Sequence, residues 1–480
     1  MGRVRVASPG VHDRTRAQAL VGLMLVGVAL FGVVVWITTP TSTSAGVAAA
    51  DAADLDAAGS AALTPASGLT PVAPGPTLAG SGTSVPTVGT RTTAAAGGPR
   101  STSSTTAAGL ASAGADCVPI PLSQRVARTL IVGIPDITDP SDPLIKKVLD
   151  IGVGGIFLNP GNVVSQAQVM RLVQGIRAQA RRPIVVSIDE EPGRVSSLAT
   201  LLGPSLSARR MADEEPASEV RAYAGTVATE LHRLGIDLNL APVADLTDGP
   251  YSDIIGDRSF SADPAIASEY ALAFADGLAD GGVRAVAKHF PGQGRSADDL
   301  HYEASEPVTV PLDTLRLTDL RPFRDLVRAG IPVVMMNHLR YTALDRNLPA
   351  SLSPRAYSLL RDLGFKGVAI TDSLGMAAVN LTWKFYDAAP MAIAAGADGV
   401  LGTDGFFAEE MRDGLVDAIA AGTLSERRLN EAAARMVALA GGDPRAVSCL
   451  AVDLPRMQPP PVPVTTTTNP GTGRGALPGA

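Results

Sequence analysis

Eight short apolar runs recur through the middle of the chain, and no other feature restricts its fold as tightly. They are TLIVGI (129–134), GGIFLN (154–159), PIVVSID (183–189), DLNLAPVADL (237–246), VRAVAKHF (283–290), IPVVMMNH (331–338), GVAITD (367–372) and ADGVLG (397–402). Each is continuous rather than alternating, the pattern of a parallel strand buried on both faces. Between them lie segments of helical period such as SQAQVMRLVQGIRAQAR, ASEVRAYAGTVATELHRLG and DPAIASEYALAFADGLADGG. The last two end at Gly, a common helix stop. Eight strand–helix units specify a closed (β/α)8 barrel of the TIM type. The competing fold, a doubly wound open sheet, would show fewer strands and a Gly-rich phosphate loop after the first. IVGIPDIT has no such loop.

The flanks are of another kind. Arg3, Arg5, Arg14 and Arg16 precede an uncharged run, AQALVGLMLVGVALFGVVVWI (17–37), and no Lys or Arg follows until Arg91. A run of about 20 apolar residues spans a bilayer, and the charge asymmetry keeps residues 1–16 in the cytoplasm. The expectation is one N-terminal transmembrane helix, a membrane contact, with the rest of the chain extracytoplasmic; a cleaved signal peptide is the alternative. Residues 38–116 are Ala, Thr, Ser, Gly and Pro with few large apolar side chains, and read as a disordered linker. Residues 453–480 read as a disordered tail, which leaves 117–452 as the barrel. The two cysteines, Cys117 and Cys449, sit at its two ends. A closed barrel brings its ends together, so in an oxidising compartment they can pair; two free thiols are the alternative. A net charge of -7 without a basic stripe gives no reason to expect nucleic-acid binding.

Barrel sites form at the C-terminal ends of the strands. The third run ends at Asp189 and continues into Glu190 and Glu191; the fourth ends near Asp245. The fifth ends in Lys288 and His289, the sixth in Asn337 and His338, the seventh in Asp372. A lone strand-end Asp often caps the next helix. Five polar strand ends converging on one rim point instead to a site. Carboxylates and hydrogen-bonding groups suit a polyhydroxylated ligand, a carbohydrate. No HxH or HxxxH occurs, so neither a metal nor another cofactor is expected. A Schiff-base lysine at Lys288, as in a barrel aldolase, is the competing chemistry.

Several segments resemble glycoside hydrolase family 3, and in particular its single-domain bacterial β-N-acetylglucosaminidases. KHFPGQGRSADDLH (288–301) resembles the signature KHFPGHGDT with its DSH-like end. IDEEPGRV (188–195) is similar to DQEGGRV, LGIDLNLAPVADL (234–246) to GINxxxAPVxDV, and GDRSFSADP (256–264) to GxRSFGxDP. VMMNHLRYTALD (334–345) is similar to VMxxHxxxPxxD, GVAITDSLGMAAV (367–379) to VxTDxLxM, and AIAAGADGVL (392–401) to the last strand. The resemblance implies Asp372 as nucleophile of a retaining hydrolase acting on β-linked N-acetylglucosamine, for example in peptidoglycan fragments. It implies Asp189, Arg258, Lys288, His289 and His301 as sugar contacts.

One departure is expected to matter. On this reading the acid/base His and its supporting Asp fall at Gln293 and Arg295, neither of which can protonate a leaving oxygen. Losing acid/base help costs about 10²–10⁴-fold in rate. Asp298 is then the candidate substitute acid, with Asp299 structural. The alternative function is a catalytically weak or silent cell-wall sugar-binding module.

Overall fold

The computed structural model describes residues 110–112 and 117–457; the expected transmembrane segment, linker and tail lie outside them. Among the described residues no helix is long and apolar enough to cross a membrane.

Eight parallel strands close into one barrel. They are β1 (Leu130–Gly133), β2 (Gly155–Leu158), β3 (Val185–Ile188), β4 (Leu238–Asn239), β5 (Arg284–Phe290), β6 (Val333–Met336), β7 (Val368–Ser373) and β8 (Gly399–Gly402). Closure is direct: Leu130 and Ile131 of β1 stand in register with Val400 and Leu401 of β8. Successive side chains on a strand face opposite ways. Ile131, Phe157, Val185, Leu238, Val286, Val333, Val368, Ile370 and Leu401 therefore fill the barrel. Their neighbours Leu130, Val132, Ile156, Val186 and Val334 pack outward against the helices. Both faces are dry, which is why the runs read as continuously apolar.

The helices form from short-range signals. Gln166–Ala180 starts where the Ser165 side chain accepts from the Gln168 N–H, and buries Val169, Leu172, Val173 and Ile176 on one face. Ala217–Leu234 stops at Gly235, whose φ of 84° is the left-handed conformation glycine adopts freely.

The fourth run is the one that departs from expectation. Only Leu238–Asn239 pairs as strand. Pro242 lacks an N–H for the ladder, and beyond it the regular pairing gives way to one isolated bridge, Val243 to Lys288, with the Lys288 N–H donating to the Pro242 carbonyl and the Ala244 N–H to the Lys288 carbonyl. The chain from 240 to 246 still runs along the barrel tip and delivers Asp245 to the rim.

A disulfide joins Cys117 to Cys449, with Cα atoms 5.8 Å apart. Beside it, Leu110–Ser112 pairs antiparallel with Leu450–Val452.

Candidate active site

The C-terminal ends of the strands enclose a cavity of about 220 Å³. Asp189, Arg258, Lys288, His289, Gln293, His301 and Asp372 all line it. Asp298 and Arg295 do not.

Two backbone irregularities aim the key groups. The pairing of β5 with β6 shifts register between Ala287 and Phe290, and consecutive residues Lys288 and His289 both face the cavity. The pairing of β7 with β8 shifts between Ile370 and Ser373, and Asp372 and Ser373 both face it. A bulge re-aims side chains in this way. The loop after β5 then crosses the tip of the fourth run so closely that a Cβ at Gly294 would lie 2.0 Å from the Leu246 carbonyl oxygen.

A buried charge network forms one wall. Glu191 is 1% exposed and takes a two-pronged ion pair from Arg258, Nε and Nη2 each at 2.8 Å. Lys288 Nζ stands 2.6 Å from Glu191 and 2.6 Å from Asp189. Burial would push the Glu191 carboxyl up, but Arg258 and Lys288 outweigh it and hold it well below the usual carboxylate range. Burial would likewise lower Lys288, yet Asp189 and Glu191 raise it. Both cations therefore stay charged, with Asp189, Lys288 and Arg258 open to the cavity.

Asp245, fully buried, orders a second wall. Its Oδ2 lies 2.7 Å from His289 Nδ1, and its Oδ1 accepts the backbone N–H groups of His289 and Gln293. The carboxylate thereby accepts from the Nδ1–H of His289 and leaves Nε2 toward the cavity.

Asp372 sits partly exposed on the cavity floor. Its Oδ1 accepts the Ser373 N–H at 2.7 Å. Burial opposes ionisation, but His289, that N–H and His301 together hold its carboxyl below the ordinary value. A poorly hydrated, ionised carboxylate in a cavity has the character of a nucleophile.

The two expected acid/base positions part company in space. Arg295 turns away from the cavity into a multiple ion pair with buried Asp319, Nη2 at 2.7 Å. Gln293 lines the wall, and its backbone N–H holds Asp245. Asp298 bonds with Ser296 in its own loop, so it is not placed as a substitute acid. A second imidazole, that of His301, lines the cavity besides His289. Its Nδ1 lies 2.8 Å from Asp299 Oδ1, which also accepts the His301 backbone N–H. Asp299, expected to be merely structural, backs a ring that opens on the cavity holding Asp372. Leu300 between them is fully buried, and the pair sits in a turn closed by the Tyr302 N–H donating to the Asp299 carbonyl at 3.0 Å. The spacing Asp-x-His was the available signal.

Sequence reasoning also left Arg194 and Glu191 without roles, although both lie in the IDEEPGRV segment. Arg194 lines the cavity and pairs with Asp257 at 2.7 Å.

The sequence model of the Glycosyl hydrolase family 3 N terminal domain matches residues 124–439. Beta-hexosaminidase LpqI of Mycobacterium tuberculosis is 35% identical over 367 residues, 72% of this chain and 92% of that protein. The crystal structure of a GH3 family glycosyl hydrolase from Mycobacterium smegmatis superposes with a TM-score of 0.62 at 37% identity, covering 67% of this chain and 97% of that one. A glycoside hydrolase family 3 β-N-acetylglucosaminidase from Paenibacillus sp. gives a TM-score of 0.64 at 31% identity, covering 68% of this chain and 63% of that one.

Proposed function

The chain belongs to glycosyl hydrolase family 3 and is an O-glycosyl hydrolase, and we propose that it removes terminal β-linked N-acetylglucosamine with retention, using Asp372 as nucleophile and His301 as acid/base. The observation that carries this reading is the His301–Asp299 pair opening on the same cavity as Asp372.

Retention follows from two displacements. The Asp372 carboxylate attacks the anomeric carbon, and the departing glycosidic oxygen takes the proton from His301 Nε2. Water then attacks the glycosyl–Asp372 ester, losing its proton to Nε2 and releasing the free carboxylate. Asp299 accepts a hydrogen bond from the Nδ1–H, keeps the ring oriented and stabilises the imidazolium that acts as the acid. Imidazole suits both half-reactions because it exchanges protons near neutral pH. Lys288 and Arg258 are donors for sugar hydroxyls, and Asp189 and His289 Nε2 acceptors. The cavity is smaller than the roughly 300 Å³ at which ligand pockets usually begin. That favours one terminal sugar over a polymer groove.

The amino sugar is inferred from the names of the relatives, and peptidoglycan fragments from the expected export. The Cys117–Cys449 disulfide supports an extracytoplasmic location, since such bridges persist in oxidising compartments. The apolar run 17–37 would tether the barrel to the membrane.

The test is turnover by the full-length protein of an aryl N-acetylglucosaminide and a β-linked N-acetylglucosamine disaccharide, alongside Asp372→Asn and His301→Ala. Loss of both activities in Asp372→Asn, and of the disaccharide activity chiefly in His301→Ala, is the expected pattern. Wild-type rates in either variant would remove the assigned role.

A further inference from the structure

His338 follows β6, is 3% exposed and does not line the cavity. Its Nε2 lies 2.9 Å from the Ser373 carbonyl oxygen and its Nδ1 2.7 Å from the Ser351 hydroxyl. A carbonyl only accepts, so Nε2 carries the proton and Nδ1 accepts from Ser351. The tautomer is thereby fixed by its two partners.

Residue 373 is then held at both ends. Its N–H is donated to Asp372 Oδ1, and its carbonyl receives the imidazole N–H. β7 ends at Ser373 after a register shift; there Ser373 pairs with Leu401, and the N–H of the peptide that follows it, on Leu374, donates to the Leu401 carbonyl at 2.8 Å. The ring adds a second hold on the carbonyl end of that same peptide, from the residue after β6. We propose that His338 is a positioning residue for Asp372: it pins residue 373 so that the neighbouring carboxylate is oriented and kept ionised toward the cavity.

This rests on the reading of Asp372 as nucleophile. The groups facing His338 are Asp372 from β7, His289 from β5 and His301 from the loop after β5; burial lowers the ring's own pKa, and it stays neutral. A neutral ring donates to Ser373 and accepts from Ser351 at once.

The experiment compares His338→Phe, His338→Asn and His338→Gln with the wild type and Asp372→Asn in the full-length protein. Gln reaches the Nε2 position and can still donate to the Ser373 carbonyl; Phe and Asn cannot. Misplacing a reacting group by about 1 Å costs about 10²-fold. Phe and Asn are therefore expected to lower kcat by about 10–100-fold while KM moves by less than about threefold. The acid limb of kcat/KM should move to higher pH, because the Ser373 N–H no longer favours the ionised carboxylate. Gln should recover most of kcat and the wild-type limb. Asn gives the same comparison if Phe does not fold. An unmoved acid limb in Asn, or equal losses in Asn and Gln, would overturn the positioning role. Wild-type turnover in Asp372→Asn would overturn the nucleophile reading instead.

Discussion

Each end of the barrel buries a carboxylate among cationic side chains, and the two arrangements differ in what they leave unused. At the N-terminal ends of the strands, Asp398 is fully buried and accepts from Arg361, Arg428 and Arg435 at 2.8, 2.7 and 3.1 Å. The arginines spend further donors on backbone carbonyls of Phe365, Gly367, Ile393 and Gly396. That cluster ties helix ends to strand starts. At the opposite end Glu191 satisfies Arg258 and Lys288 in a similar way, but Lys288 also reaches Asp189 at the open cavity, and Asp372 and His301 face the same space. A buried ion pair is therefore weak evidence of a site by itself. Polar ends left facing a cavity are what separate chemistry from architecture.

The sharpest way to break this contrast is to neutralise one carboxylate at each end. Asp372→Asn should lower kcat on the order of 10³-fold or more with the fold intact, read by steady-state kinetics and circular dichroism. Next, His301→Ala should cost about 10²–10⁴-fold on a disaccharide and far less on an aryl glycoside with a good leaving group, which needs little protonation. Asp398→Asn should act the other way round. Breaking a buried pair costs about 3–5 kcal/mol of stability, measured by denaturant unfolding. Its kcat in the surviving folded protein should change less than about twofold, given the distance from the cavity.

A smaller effect sharpens the same comparison within one stretch of sequence. Glu190 adjoins Glu191 but points into the protein, accepting from Ser196 and the Leu198 N–H. Burial outweighs those bonds and pushes its carboxyl up to about 7, against 4.5 ordinarily. A raised carboxyl contributes stability that is full below the ordinary value and is lost as pH rises through about 7. The fall in Tm between pH 5 and pH 8 should therefore be smaller in Glu190→Gln than in the wild type. An equal fall would mean that Glu190 is already ionised in the folded state.

Much of the barrel was legible because its strands are dry on both faces, so composition and period agree. Pro242 cut β4 short, a local backbone effect that an apolar run conceals. The cavity residues Asp189, Lys288, His289 and Asp372 were legible because strand ends converge in any closed barrel. Asp189, Glu190 and Glu191 could not be told apart in sequence, since only packing decides that Glu191 meets both Arg258 and Lys288, Asp189 meets Lys288, and Glu190 is held by Ser196 and the Leu198 N–H instead. The acid/base positions were the least legible for a related reason. Motif position points to Gln293 and Arg295, whereas the loop's path, with Gly294 against Leu246 and Leu300 buried, brings His301 to the cavity with Asp299 behind it.

The most direct measurement is to trap the glycosyl-enzyme with a fluorinated N-acetylglucosaminide that slows deglycosylation, then map the adduct by peptide mass spectrometry. A single added sugar on the peptide containing Asp372, absent in Asp372→Asn, is the predicted result. A stable adduct on a different carboxylate, or steady turnover of that substrate with Asp372 never labelled, would contradict the account.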